Sequence, residues 1–173
     1  VIETKRLILR KFTLDDVEPS YKMNMDPIVS QFTGDGGVVS REEIHRRIEE
    51  NVMGDYKKYG YGRLAVTLKS TGEFIGFAGL KYLDDMDEVD LGYRFIQEVW
   101  GQGIATEACT PLIKYGFEEL GLKSIIAMVL PENKASIRVL EKLNFVFDKN
   151  IDADGDDALL FRTLNRMLIS TKS

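Results

Sequence analysis

The stretch Asp90-Leu-Gly-Tyr-Arg-Phe-Ile-Gln-Glu-Val-Trp-Gly-Gln-Gly-Ile-Ala105 decides the fold. Leading into it from Glu88, apolar Val89, Leu91, Tyr93 and Phe95 alternate with Glu88, Asp90, Gly92 and Arg94, the period of a half-buried strand. From Ile104 the period changes. Ile104, Ala108 and Leu112, then Ala105, Cys109, Ile113 and Phe117, recur at i, i+4 on one wide helical face. Trp100-Gly-Gln-Gly-Ile-Ala105 therefore joins a strand to a helix N-terminus, where main-chain N–H groups lack partners and the macrodipole is positive. Gly101 and Gly103 carry no Cβ, so a bulky anion can approach the backbone. The pattern suits a phosphate cradle of main-chain donors; a plain tight turn is the competing reading.

Two phosphate motifs are excluded. No Lys-Ser/Thr follows the glycines, as a P-loop requires, and position 106 is Thr where a dinucleotide fingerprint needs its third glycine. The spacing instead resembles the acyl-CoA loop Q/R-x-x-G-x-G/A of the GNAT superfamily of N-acetyltransferases, with Trp100, Gly103 and Ala105 at its first, fourth and sixth positions. Trp100 stands where Gln or Arg is usual, yet W-G-x-G-x-A-T-E-A looks like the branch of ribosomal-protein N-terminal acetyltransferases of the RimJ/RimL type. Pro131-Glu-Asn-Lys-Ala-Ser-Ile-Arg-Val-Leu-Glu-Lys-Leu-Asn-Phe145 resembles that branch's P-x-N-x-A-S-x-R-V-L-E-K-L-G-F segment, with Asn144 in place of Gly.

The resemblance implies an α+β fold on one domain over residues 1–173, with about seven mostly antiparallel strands, a central parallel pair splayed around acyl-CoA, and about four flanking helices. It also implies direct acetyl transfer from acetyl-CoA to a primary amine, without an acyl-enzyme, so Cys109 is not needed as a nucleophile. The cofactor-binding set it implies is Tyr93, Arg94 and Phe95 along the pantetheine arm, Trp100, Gly101, Gln102, Gly103, Ile104, Ala105 and Thr106 around the pyrophosphate, and Asn133 and Ser136 on the later helix. The strand contribution of Tyr93 to Phe95 is expected from backbone atoms, a main-chain N–H near Phe95 polarising the carbonyl.

Composition agrees with a soluble enzyme. The 173 residues suffice to bury roughly two-thirds of the unfolded surface. At 44% hydrophobic and 29% charged the chain is ordinary for a globular domain. A net charge of -5 argues against a nucleic-acid surface and is compatible with a cationic acceptor. No apolar run approaches the ~20 residues of a membrane span, and the first residues lack a signal-peptide core. The single Cys109 forbids an intrachain disulfide and suits a cytoplasmic location; its place on the apolar helix face reads as a structural thiol. Monomer and homodimer both stay open.

Along the chain, residues 6–12 read as a strand and Thr13-Leu-Asp-Asp16 opens a helix that Asp26-Pro27 ends or bends. Gly34–Gly37 forms a loop expected to border the acceptor channel, and Ser40-Arg-Glu-Glu43 is a capping box. Strands are expected at 63–68, 73–82, 124–130, 145–147 and 158–164. Asn133 caps a helix with Ala135, Val139 and Leu143 inward, flanked by Ser136 and Leu140. No metal site is expected: His45 stands without ligand spacing, and Asn150-Ile-Asp-Ala-Asp-Gly155 reads as a solvated hairpin loop because Phe161 stands where calcium would need a bidentate Glu. Pro111 inside the 104–120 helix predicts a bend between Glu107 and Pro111.

The chemistry requires a neutral nucleophile and a partner for the departing thiolate. An α-amine with pKa ~8 is roughly a tenth neutral at pH 7, a lysine below about one part in a thousand, so a protein N-terminus needs only modest base help. Asp90 and Glu88 share a strand face; Asp90 is the preferred base and Glu88 the second. Ser136 is the candidate donor to the CoA sulfur, with bonding to its own backbone the competing reading. A small-molecule amine acetyltransferase, for an antibiotic or polyamine, and a non-catalytic acyl-CoA-binding module are the alternatives.

Overall fold

The computed structural model describes residues 1–33, 39–153 and 155–166. Eight strands, β1 (Ile2–Glu3), β2 (Leu7–Lys11), β3 (Arg63–Leu68), β4 (Phe74–Leu83), β5 (Glu88–Phe95), β6 (Ser124–Val129), β7 (Val146–Ala153) and β8 (Asp156–Leu164), form one sheet ordered β1-β2-β3-β4-β5-β6-β8-β7. All neighbours are antiparallel except β5 and β6. The strand beyond the expected seven is β1, whose two residues are too few to show a period. The helices are α1 (Val17–Met25), α2 (Pro27–Ser30), α3 (Arg41–Arg46), α4 (Met53–Tyr59), α5 (Ile104–Glu118) and α6 (Lys134–Lys142). Between α3 and α4 the backbone winds as a π-helix over Arg47–Val52. The Gly34–Gly37 loop lies outside the described residues.

The capping signals act much as the sequence suggests. Thr13 Oγ1 accepts from the Asp15 amide while the Thr13 amide donates to the Asp16 carboxylate, and the resulting turn feeds α1. Asp26 ends α1 and its side chain accepts from the Ile28 amide to start α2 at Pro27. Ser40 Oγ accepts from the Glu43 amide, but the Glu43 carboxylate turns to Arg46 and Arg47. Helix α5 runs through Pro111 as one continuous element. The ring still removes the donor that would bond the Glu107 carbonyl.

Alternation along the central strands sorts side chains into two cores. Leu7, Leu9, Val66, Ala78, Leu80, Val89 and Leu91 pack with Ile104, Ala108, Cys109 and Leu112 of α5. On the opposite face Ala65 and Phe74 pack with Phe12, Met23, Ile44 and Ile48, under α1 and the α3–α4 helical segment. Cys109 is fully buried and its thiol is pushed up to about 12 by that burial, as fits a structural residue.

A trough crosses the second face. Gly79 of β4 lies opposite both Arg63 of β3 and Gly92 of β5, so two facing strands lack side chains at one level. The Arg63 side chain fills this space and reaches Asp90. A Cβ on Gly79 would stand 2.5 Å from Arg63 Cα and 2.8 Å from the Gly62 carbonyl oxygen, both main-chain atoms. On Gly92 it would meet only the Arg63 guanidinium, at 2.6 Å. Gly79→Ala should therefore lose about 1–3 kcal/mol in chemical denaturation, and Gly92→Ala less, because a side-chain tip can move. Equal midpoints for the two variants would contradict this account.

Two elements differ from expectation. In α6 Val139 and Leu143 pack inward with Leu140 beside them, as expected, and Ile137 joins them, but Ala135 is exposed, so the apolar stripe does not reach the start of the helix. Residues 150–153, expected as a loop, continue β7 in register with β8, pairing Asn150 with Leu159 and Ala153 with Asp156. Asn150 and Asp152 are exposed while Ile151 and Ala153 are half-buried, the alternation of an edge strand, and the Asn and Asp are what make the composition read as loop.

Candidate active site

The parallel pair sets the geometry. β5 and β6 share one registered pair, Asp90 with Ile126, whereas the antiparallel ladders beside them run nearly full length. Past that point the strands are unpaired, opening the sheet between the Tyr93–Phe95 end of β5 and the C-terminal half of β6. The chain then leaves β5, and the Trp100 indole donates to the Phe95 carbonyl at 2.9 Å, folding the loop back on the strand end. Gly101 and Gly103 have φ of +76° and +78°, the left-handed region that favours glycine. Nothing would touch a Cβ on Gly101 within 4 Å. The loop surface is open, and α5 begins behind it.

The Glu107 amide bonds the Gly103 carbonyl, so the donors of Ile104, Ala105 and Thr106 lie in the first turn, before any intrahelical acceptor. Gln102 and its two glycine neighbours add exposed backbone. This arrangement fits a pyrophosphate. Glu107 is an unfavourable charge beside a bound anion, and one other segment, the turn between β1 and β2, neutralises it. Thr4 Oγ1, the Arg6 amide and Arg6 Nε donate to its carboxylate at 2.6, 2.8 and 2.7 Å. Burial pushes the Glu107 carboxyl up, but these three donors prevail and hold it below its ordinary value. Arg6 Nη2 also donates to the Gln102 carbonyl at 2.9 Å, turning that oxygen toward the guanidinium. Neither Arg6 nor Glu107 was expected at the site. The acid inside an anion-binding turn was the available signal.

The face of the sheet that meets α1 carries the two candidate bases. Asp90 is 7% exposed, and its Oδ2 accepts from Arg63 Nη2 at 2.6 Å. Burial raises the Asp90 carboxyl; the charge and hydrogen bond of Arg63 pull it back without cancelling the rise. Glu88 pairs with Arg162 Nη1 at 2.9 Å, and Arg162 also reaches Asp148 and Ser124. Both carboxylates thus face an arginine. Arg94 points to this same side, donating to the Asn24 side chain of α1 and lying over the Phe77 ring. Its side chain belongs to the α1 side of the sheet.

On the other face the structure brings Tyr93 and Ser136 together. Asn133 caps α6 by accepting from the Ser136 amide at 3.2 Å, which fixes the first turn. Ser136 Oγ then accepts from the Tyr93 hydroxyl at 3.0 Å. The Tyr93 ring stacks on Phe95 with centroids 5.9 Å apart, and burial raises its phenol to about 12. Residues 93–95 are expected at the site through their backbone, and the Tyr93 hydroxyl adds a side-chain contact with α6. Among the described residues no three His, Cys, Asp or Glu gather as for a metal, and no helix is long and apolar enough to cross a membrane.

A sheet parted at its one parallel pair, with an anion cradle at the parting, defines an acyl-CoA-dependent acyltransferase. The chain belongs to the GNAT acetyltransferase family, whose acetyltransferase (GNAT) domain matches residues 6–146. It is an N-acetyltransferase that uses acetyl-CoA. An uncharacterized N-acetyltransferase, p20 of Bacillus licheniformis, is 33% identical over 144 residues, covering 82% of this chain and 80% of that protein. The crystal structure of a GNAT-family acetyltransferase from Bacillus anthracis is 26% identical, covers 95% of this chain and 98% of its own, and has a TM-score of 0.81. RimL, the ribosomal L7/L12 α-N-protein acetyltransferase solved with coenzyme A, is similar in fold alone, at 17% identity and a TM-score of 0.77 over 93% of this chain and 95% of its own.

Proposed function

We propose that the chain acetylates the α-amine of a protein N-terminus, as in the RimJ/RimL-like branch whose motifs its loop and α6 resemble. One observation carries the choice of acceptor: both carboxylates on the acceptor face are tied to arginines, Asp90 to Arg63 and Glu88 to Arg162. A carboxylate so held gives modest base help. An amine already about a tenth neutral at pH 7 suits it, whereas a lysine or polyamine nitrogen does not.

Acetyl-CoA supplies a thioester carbonyl open to attack by nitrogen. The main-chain donors of residues 101–106 hold its pyrophosphate, and the backbone of Tyr93, Arg94 and Phe95 lines the gap for its pantetheine arm. Trp100 closes the loop and Asn133 fixes the start of α6. Asp90, raised by burial, takes the amine proton through water; Glu88, more exposed and held by Arg162, is second. Ser136 gives a hydrogen bond to the sulfur as it departs.

Purified protein should release CoA from acetyl-CoA with N-terminal peptides at a kcat/KM at least tenfold above that with spermidine or Nα-blocked lysine peptides. The rate should climb with pH as the α-amine loses its proton. Preference for small amines would assign the alternative acceptor class. Tight acetyl-CoA binding with no CoA release for any amine would indicate a binding module and overturn catalysis.

A further inference from the structure

The Tyr93–Ser136 contact does more than join two elements. Tyr93 lies on β5 past the last paired residue, and Ser136 lies on the helix that follows β6, so their hydroxyls span the gap between the parted strands. A serine hydroxyl has one proton. Accepting from Tyr93 leaves that proton free to be donated elsewhere, and the first-turn amide of Ser136 is already fixed by Asn133. Tyr93 itself has little freedom: its ring stacks on Phe95 and packs against the larger core.

We infer that the Tyr93 side chain is a positioning residue for the leaving group, orienting the Ser136 proton toward the thioester sulfur. The inference rests on the proposed role of Ser136 and extends it. As the amine nitrogen bonds the acetyl carbon, the C–S bond breaks and its electron pair goes to sulfur. The nitrogen sheds one proton, and that proton is the one the CoA thiol finally carries. Ser136 lends a hydrogen bond to the sulfur and keeps its own proton, and Tyr93 keeps its proton too. A relay ending in tyrosinate runs uphill: a phenol near 12 is weaker than an ordinary thiol by more than about three orders of magnitude. The pair acts as a pre-set dipole, as in an oxyanion hole, with the developing charge on sulfur.

A double-variant cycle tests this on the full chain with acetyl-CoA and a reactive N-terminal peptide. Ser136→Ala should lower kcat roughly 10- to 100-fold, the range for losing a hydrogen bond to a charged group, with acetyl-CoA affinity unchanged by calorimetry. Tyr93→Phe keeps the ring and should lower kcat about 3- to 10-fold, also at unchanged affinity. Combined, the two should be no worse than Ser136→Ala alone, because Tyr93 then has no hydroxyl to orient. Ser136→Thr retains a hydroxyl and should restore both the rate and its dependence on Tyr93. Additive losses in the double variant, or a wild-type kcat in Tyr93→Phe, overturn the inference and leave the role of Ser136 standing. A wild-type kcat in Ser136→Ala overturns that role, and this inference with it.

Discussion

Gly103→Glu is expected to remove acetyl-CoA binding from the range of calorimetry while leaving a folded protein. Two effects combine. Gly103 has φ of +78°, so any side chain there bears about 1–2 kcal/mol of backbone strain. A carboxylate about 4 Å from a phosphate adds about 4 kcal/mol of repulsion near a protein surface, on the order of a thousandfold in affinity. Space is not the obstacle, because a Cβ at Gly103 has only Arg6 Nη2 as a neighbour, at 3.8 Å. Gly103→Ala thus separates strain from charge: it should bind measurably, with a loss near tenfold. Unchanged affinity in a folded Gly103→Glu protein would show that the pyrophosphate lies elsewhere.

Asp90→Asn should show the second large effect, a fall in kcat/KM within the ~10²–10⁴ that general-base help supplies. The loss should be deepest at low pH and shrink as the acceptor amine deprotonates by itself. The substitution also strips Arg63 of its counter-ion, and breaking a buried pair costs about 3–5 kcal/mol of stability, so rates belong below the variant's melting temperature. Arg63→Gln provides the converse. Arg63 pulls the Asp90 carboxyl down, so its removal lets the carboxyl rise further, and the acid limb of the profile should move to higher pH. Profiles of wild type and Asp90→Asn that run parallel would exclude Asp90 and shift the role to Glu88 or bulk water.

How much of this was legible in the chain follows the range of the interactions. The strand, loop and helix around Trp100 are local: a period of two, then glycines, then a period near 3.6, and the structure has β5, the loop and α5 in that order. Asn133 as the cap of α6 is equally local. The ion pairs are not. Asp90 finds Arg63 27 residues away, and Glu107 finds Arg6 101 residues away. Hydrophobic periodicity says which face a residue takes and nothing about which charge waits opposite. Gly79 and Gly92 show the same limit, since a trough exists only once strand register is known. In α6 only Ala135 departs from its expected place, because i, i+4 spacing extends the Val139 and Leu143 stripe back to a first turn that stands clear of the core. The Tyr93 hydroxyl is not legible in the chain, because its partner Ser136 lies 43 residues away.

The bond between Arg6 and Glu107 changes where the cofactor site begins. The glycines and the helix start look like a self-sufficient module, yet the carboxylate in that first turn would repel phosphate if left alone. Its neutralising donors, Thr4 and Arg6, come from the opening residues of the chain, ahead of β2. A fragment that starts at β3 would therefore carry the entire loop and present it with the wrong sign. In this protein the receptivity of the cradle is a property of Thr4 and Arg6 as much as of the loop that bears the motif.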